Sequence, residues 1–252
     1  MLWLFGTLSV AGKVAAVLVG WRQPALALAL WFGPDLLVVY HLLVPNAQGI
    51  VRMHRRFRTT QTEVWLTIDD GPDPDDTPRL LALLAEQGAR ATFFVIGERA
   101  ARHPELIRAI VAGGHEVAHH THTHPLATFW CAGPARVARE IDATLAVLRG
   151  QGVKPRRFRP PAGIKSLWLP GALRARGLAA VGWSARGLEF LSQDPAGVTA
   201  RVLRGLAPGA ILLMHEGPGV TAPVRVVAVR RVLEQLRAAG YRCVIPTAEQ
   251  LD

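Results

Sequence analysis

Two apolar runs open the chain, and a different periodicity takes over after them. Leu2 to Gly20 is apolar apart from Lys13, and Pro24 to Val44 is apolar apart from Asp35 and His41. Each run has roughly the 20 residues that cross a bilayer as a helix. Gly33-Pro34-Asp35 is expected to break or kink the second run. That leaves a re-entrant or interfacial helix, or a span whose Asp35 is satisfied by protein contacts. An amphipathic pair packed on the following domain is the alternative to both. The opening "MLWLFG" lacks the basic n-region of a secretory signal peptide, so retention rather than cleavage is expected.

From Glu63 onward, short β-rich runs exchange with helical ones. "EVWLTIDD", "ATFFVIG", "HEVAHH", "LAAVGWSA", "GAILLMHEG" and "YRCVIP" read as strands, and "FRPPAG" as the end of another. "TPRLLALLAEQG", "HPELIRAIVAGG", "PARVAREIDATLAVLRG", "AGVTARVLRGL" and "VRVVAVRRVLEQLRAAG" read as the helices between them. Repeated βα units imply a parallel sheet covered by helices, and about seven of them favour a closed or nearly closed barrel. In such barrels chemistry gathers at the C-terminal ends of the strands. Asp69-Asp70, His119-His120, Arg159, Glu189 and His215 all fall there, so five separate loops would place reactive groups on one rim.

Composition refines the picture. The chain has 252 residues, half of them apolar, and a mean hydropathy of +0.22. That suits one domain of about 200 residues plus an extension, with the apolar excess in residues 1–48. The net charge of +10 comes largely from Arg scattered along helical stretches, which is the pattern of a solvated face. No basic stripe is interleaved with aromatics, so nucleic acid is not an expected partner. Membrane lipid, met through the N-terminal segment, is the better one. "RMHRRFR", Arg52 to Arg58, follows the apolar runs directly, and the positive-inside rule then places the rest of the chain on the cytoplasmic side of a membrane of bacterial inner-membrane type. Residues 49–62 read as a basic linker and 63–252 as the catalytic domain. Cys131 and Cys243 are too few for a disulfide scaffold and read as structural.

Two motifs carry chemistry. "TIDDGP", Thr67 to Pro72, sets two carboxylates side by side at a strand end. Like charges so close are costly unless a cation or Arg sits between them. A divalent metal on one Asp, with the other left as base, removes that cost; an Asx-turn before Gly-Pro is the plainer reading. Five of the nine histidines lie between His115 and His124. His120 and His124, at i and i+4 on a helical turn, would share a face and grip one ion. Asp70, His120 and His124 would form an open three-ligand site suited to zinc, with His119 or His122 able to replace one of them. Cys131 lies near enough in sequence to be a weaker metal candidate.

"TIDDGP", "HTHTH", "RPPAG" and "LLMH", in that order, resemble successive motifs of the polysaccharide deacetylases, the NodB-homology domain of carbohydrate esterase family four. The resemblance spans roughly Val64 to Leu251. It implies an α/β fold, a distorted (β/α)7 barrel, and hydrolytic removal of N-acetyl or similar acyl groups from an amino sugar. It implies Asp69 as general base, Asp70, His120 and His124 as ligands of one divalent metal, most simply zinc, Arg159 as the residue orienting the base, the backbone N–H of Ala162 as oxyanion donor and His215 as general acid. One stretch departs from the pattern. Where the family has Asp-x-x-Asp-Trp, the chain has "RGLEF", Arg186 to Phe190, so an acid has become Arg186 and the second survives as Glu189. Glu189 is expected to take over part of the support of His215. The rival readings are a deformylase or deacetylase of a lipid-linked sugar, which the apolar front favours, and a non-catalytic carbohydrate-binding protein on the same fold.

Overall fold

The computed structural model describes residues 2–220 and 224–251. A helical hairpin, α1 (Leu2–Val19) and α2 (Pro24–Leu43), precedes β1 (Glu63–Asp69), α3 (Asp76–Glu86), β2 (Ala91–Val95), α4 (Gly97–Arg102), α5 (Pro104–Ala112) and β3 (Glu116–His119). Then come α6 (Pro134–Arg149), β4 (Arg157–Phe158), α7 (Leu169–Arg174), β5 (Ala179–Ala180) and β6 (Ala185–Arg186). The chain closes with α8 (Pro195–Leu203), β7 (Ala210–His215), α9 (Arg225–Ala238) and β8 (Arg242–Cys243). The strands form one curled parallel sheet in the order β5-β4-β3-β2-β1-β7-β6, with β8 paired to the start of β1.

The two faces of β1 show why the sheet curls around a site. Val64, Leu66 and Ile68 point outward into a core shared with Leu80, Leu83 and Leu84 of α3 and Val229, Val232 and Leu233 of α9. Trp65 points inward with Phe94, Val181, Ile211, Leu213 and Leu251 and builds an apolar floor. Thr67 and Asp69 continue that inward face toward the carboxyl rim, both buried. A one-residue slip would exchange these two sets, so the ladder Val64↔Ala210 through Asp69↔His215 fixes which side chains reach the site. On the covering helices the apolar residues recur at helical spacing, as in Val137, Ile141, Leu145 and Leu148 of α6. Asp194 caps α8 by accepting from Ala196 N and Gly197 N at 2.9 Å, with Pro195 in the first turn.

The sheet is not closed strand to strand. The stretch expected as one strand, "LAAVGWSA", is two short ones, β5 and β6, separated by Val181–Ser184. An extended piece of the basic segment lies in the break: His54 bridges Val181 and Arg56 bridges Ala210. Met53 and Phe57 are buried there while Arg52, Arg55, Arg56 and Arg58 stay exposed. Part of the segment set apart as a linker thus completes the barrel wall.

Helix α2 runs unbroken through Gly33-Pro34-Asp35, against the expected break. Proline at position 34 leaves the carbonyl of Leu30 without its helical donor. Gly12 of α1 packs onto that carbonyl, so closely that a Cβ there would sit 2.5 Å from Leu30 O. Asp35 is satisfied within the hairpin: it accepts from Ser9 Oγ at 2.6 Å and Lys13 Nζ at 2.8 Å. The hairpin packs mainly on itself; Leu42 is the one buried residue of α2 among those described.

Candidate active site

Asp69 ends β1 pointing into the barrel, 3% exposed, and its Oδ1 accepts from Arg159 Nη1 at 2.6 Å. Arg159 has no solvent exposure, so every donor needs a partner. It finds them in Asp69, Thr67 Oγ1 at 2.8 Å, Val181 O at 3.2 Å and Gly182 O at 2.8 Å, and its guanidinium lies 4.1 Å over Phe94. This clamp leaves Asp69 Oδ2 free, 3.6 Å from His120 Nε2.

Left-handed backbone gathers at this rim. Asp70, Thr121, His124, Ala162 and Leu188 all have φ between 51° and 72°. Such conformations cost of order 1–3 kcal/mol each in non-glycine residues and persist where surrounding structure over-determines them. At Asp70 the turn brings the carboxylate beside the two imidazoles, Oδ1 lying 3.4 Å from His120 Nε2 and 3.2 Å from His124 Nε2.

His120 and His124 do not share a helical turn, as the i, i+4 spacing predicted. They meet from an irregular loop after β3 that reverses at Thr121 (φ 65°) and His124 (φ 53°). Glu140 of α6 holds that loop, accepting from His122 N and Thr123 N at 2.9 Å and from Thr123 Oγ1 at 2.7 Å. His120 Nδ1 sits 2.7 Å from Arg159 O, which makes Nδ1 the protonated nitrogen and leaves the Nε2 lone pair facing Asp70. Burial, and then the neighbouring His120, push the His124 pKa down to about 4, so its imidazole is neutral. Burial opposes ionisation of Asp70, but the charge of neighbouring histidine, His215 included, outweighs it and holds the carboxyl below its ordinary range.

The three donor atoms lie within 4.8 Å of one another, and Asp70 Oδ1 is buried with no hydrogen-bond partner. Two imidazoles and a carboxylate whose orphaned oxygen is aimed between them fit a borderline divalent cation. The other candidates point elsewhere. His119 is committed, with Nε2 2.9 Å from Ile141 O and Nδ1 accepting from Thr121 N at 3.0 Å. Neither His122 nor Cys131 joins the cluster, and the Cys131 thiol bonds Thr128 O on an exposed turn.

Across the cavity, His215 ends β7. Its Nδ1 lies 3.3 Å from Oε2 of Glu189 and its backbone N–H donates to Oε1 at 3.1 Å. Burial alone would lower the His215 pKa, but the Glu189 hydrogen bond and charge, reinforced by Asp69 and Asp70, raise it to about 9. Glu189 reaches this position from a short 3-10 turn that begins after Leu188 (φ 55°). A cavity of about 370 Å³ joins both sides; Ala162, Trp183, Arg186, Leu188 and Phe190 wall it together with the two aspartates and three of the histidines.

Sequence reasoning passed over three residues of this rim. Arg99 donates to Asp70 O at 2.6 Å and braces the ligand turn, with no signal in its "GERAAR" setting. Glu140 was legible: it is an acid on the apolar stripe of α6, where a charge needs partners. Glu216, fully buried beside His215, accepts from Thr77 Oγ1 at 2.5 Å and leaves Oε1 unpaired against Gly71. Burial pushes its pKa up to about 8, so it is protonated at neutral pH.

On fold and site together the chain is a hydrolase of carbon–nitrogen bonds other than peptide bonds. It belongs to the polysaccharide deacetylase family, whose sequence model matches residues 57–181. The chitooligosaccharide deacetylase of Bradyrhizobium sp. (strain ANU 289) is 41% identical over 156 residues, which span 61% of this chain and 70% of the relative. A peptidoglycan-N-acetylglucosamine deacetylase of Bacillus cereus is 33% identical over 186 residues, 73% of this chain and 66% of the relative. Among solved structures, the family 4 carbohydrate esterase from Streptomyces lividans in complex with acetate superposes with a TM-score of 0.68 at 33% identity, covering 76% of this chain and 96% of that one.

Proposed function

We propose that the enzyme removes the N-acetyl group from an N-acetylglucosamine-type amino sugar, using one divalent cation, with zinc the best fit to its donors. The observation that carries this reading is the convergence of Asp70 Oδ1, His120 Nε2 and His124 Nε2 beside a clamped, half-free Asp69, in one cavity with a carboxylate-backed His215. The names of the relatives support the acetyl group and the glucosamine ring. A cation held by Asp70, His120 and His124 would polarise the acyl carbonyl and a water bound beside it.

The chain's own residues do the rest. Asp69 takes a proton from the attacking water through Oδ2, while Arg159 holds Oδ1 and keeps the carboxylate aimed. The backbone N–H of Ala162 donates to the oxygen on which charge develops, from a left-handed turn that lines the cavity. His215, kept protonated by Glu189, delivers a proton to the leaving nitrogen. A non-catalytic role is disfavoured because base, ligand set and acid are all retained. Residues 2–43 hold the enzyme in a bilayer, with α2 the helix of sufficient length and apolarity. The exposed Arg52, Arg55, Arg56 and Arg58 favour the cytoplasmic side. Acetate release from chitooligosaccharides by the detergent-purified full chain, lost on chelation and restored by zinc, tests the activity. A reporter fused after Asp252 and active only in the periplasm would overturn the orientation.

A further inference from the structure

Helix α2 ends at the catalytic rim. Its last turn is held by the loop that follows β4: Lys165 N–H donates to Leu42 O at 2.9 Å, and the buried Lys165 Nζ donates to Val44 O at 2.8 Å and Gly163 O at 3.0 Å. Pro45 packs against Gly163, whose φ of 73° and lack of a Cβ allow the approach. Asn46 pairs with the backbone of Trp183 in both directions, Nδ2 to O at 3.0 Å and N to Oδ1 at 3.2 Å. Trp183 and Ala162, the neighbour of Gly163, wall the catalytic cavity. The helix long enough to cross a bilayer therefore joins the barrel at the face that carries the chemistry. Loops on that face expose Leu126, Trp130, Trp168, Phe190 and Leu191, the last at 73%, and Leu126 and Phe190 are also cavity walls. Apolar and tryptophan side chains at the end of such a helix are suited to the membrane interface.

The charge on the cavity wall is the second observation. Apart from the two aspartates and three histidines of the site, Arg186 is the one charged side chain among the described wall residues. It forms no ion pair with a carboxylate among the described residues, and its guanidinium rests 5.7 Å over the Trp183 ring. A planar guanidinium with free donors beside an otherwise apolar wall matches a phosphate group, which it can bind bidentately. A neutral sugar polymer offers nothing of opposite charge to it.

Building on the deacetylase reading above, we propose that Arg186 is the phosphate-recognition residue of this site and that the substrate is an N-acylated amino sugar joined through phosphate to a lipid, presented from the bilayer. The acylated ring enters the cavity toward Asp69 and His215, the phosphate stops at Arg186, and the lipid chain leaves across Leu126, Phe190 and Leu191.

The test uses the full chain in lipid nanodiscs with two substrates, N-acetylglucosamine joined by a phosphodiester to a prenyl chain, and a chitooligosaccharide. The expected result is a higher kcat/KM on the prenyl-linked sugar. Arg186→Ala should lower the ratio of the two kcat/KM values by about 10–100-fold, mainly through KM, and Arg186→Lys should recover part of it. A preference for the oligosaccharide, or a ratio that Arg186→Ala leaves unchanged, overturns the proposal. Weaker binding to anionic phospholipid vesicles with an unchanged ratio also overturns it, by assigning Arg186 to bulk headgroups. If neither substrate releases acetate, the deacetylase reading fails, and equilibrium binding of the prenyl-linked sugar decides the subsite separately. Binding that depends on Arg186 sustains the subsite; binding indifferent to Arg186→Ala removes it as well.

Discussion

The two sides of the catalytic cavity are built by different rules. On the ligand side, Asp70, His120 and His124 come from strained loops braced by Arg99, Glu140 and the carbonyl of Arg159. Little can change there, because Asp70, His124 and Thr121, the neighbour of His120, hold left-handed conformations that most residues resist. On the acid side, His215 is supported by a single side chain, Glu189, delivered by a short turn with an exposed Phe190 and a cationic neighbour. The chemistry of a proton donor needs a carboxylate near Nδ1 but does not dictate which position supplies it. Arg186, on the substrate-facing wall, is under no such backbone constraint.

That contrast predicts a hierarchy of effects. Asp69→Asn, on the rigid side, keeps the shape and an acceptor oxygen for Arg159 but loses the charge and cannot take a proton. Turnover should fall by about 10²–10⁴-fold with metal content unchanged. Near-normal acetate release from this variant would assign the base elsewhere.

Glu189→Gln probes the variable side. The carboxylate raises the His215 pKa to about 9, so the acid is protonated through neutral pH and is lost only as pH rises past that value. Without the charge, the alkaline limb of kcat/KM should move to lower pH by about 1–3 pH units, with metal content intact. An unmoved limb would mean that Glu189 is only a structural partner. The same raised pKa stabilises the fold fully below about 6.5 and less as pH climbs toward 9.

Lys165→Met examines how firmly the hairpin is tied to the oxyanion loop. Gly163 O would lose its donor, and Val44 O would keep only the N–H of Ala47 at 3.2 Å. The expected destabilisation is about 1–3 kcal/mol for the one carbonyl left unpaired, read as a lower melting temperature in detergent. An unchanged melting temperature would show the hairpin and barrel to be independent.

A pH-dependent effect concerns Glu216. Its folded pKa, raised to about 8, means the native state holds a proton that the unfolded chain releases near 4.5, so stability falls as pH rises between those values. Glu216→Gln removes this loss. Tm should rise at pH 9, by about 2–4 °C for each kcal/mol recovered, and change little at pH 4. An equal shift at both pH values would show that packing rather than titration governs the site.

Much of this architecture was legible before any coordinates. Strong periodicity located β1, β2, β7 and the long helices, because a strand buried on both faces and a striped helix leave different spacings. Asp69, Asp70, His120, Arg159 and His215 stood at predicted strand ends for the same reason. The failures have physical causes. The spacing of His120 and His124 suggested a helical turn, yet left-handed residues and Glu140 achieve the same convergence in a loop. Pro34 suggested a break or a kink; no break occurs, and Gly12 packs on the carbonyl that proline leaves free. The role of Met53 and Phe57 in the barrel wall was hidden because a two-residue bridge leaves almost no periodic trace.

The most direct test of the account is the metal content of the purified full chain, measured with its acetate release, for wild type and His124→Ala. The account predicts about one divalent ion per wild-type chain, and loss of both metal and turnover in the variant while the fold is retained, because the site lies on the rim. A full complement of metal in His124→Ala, or undiminished turnover by wild-type protein stripped of metal, would contradict it.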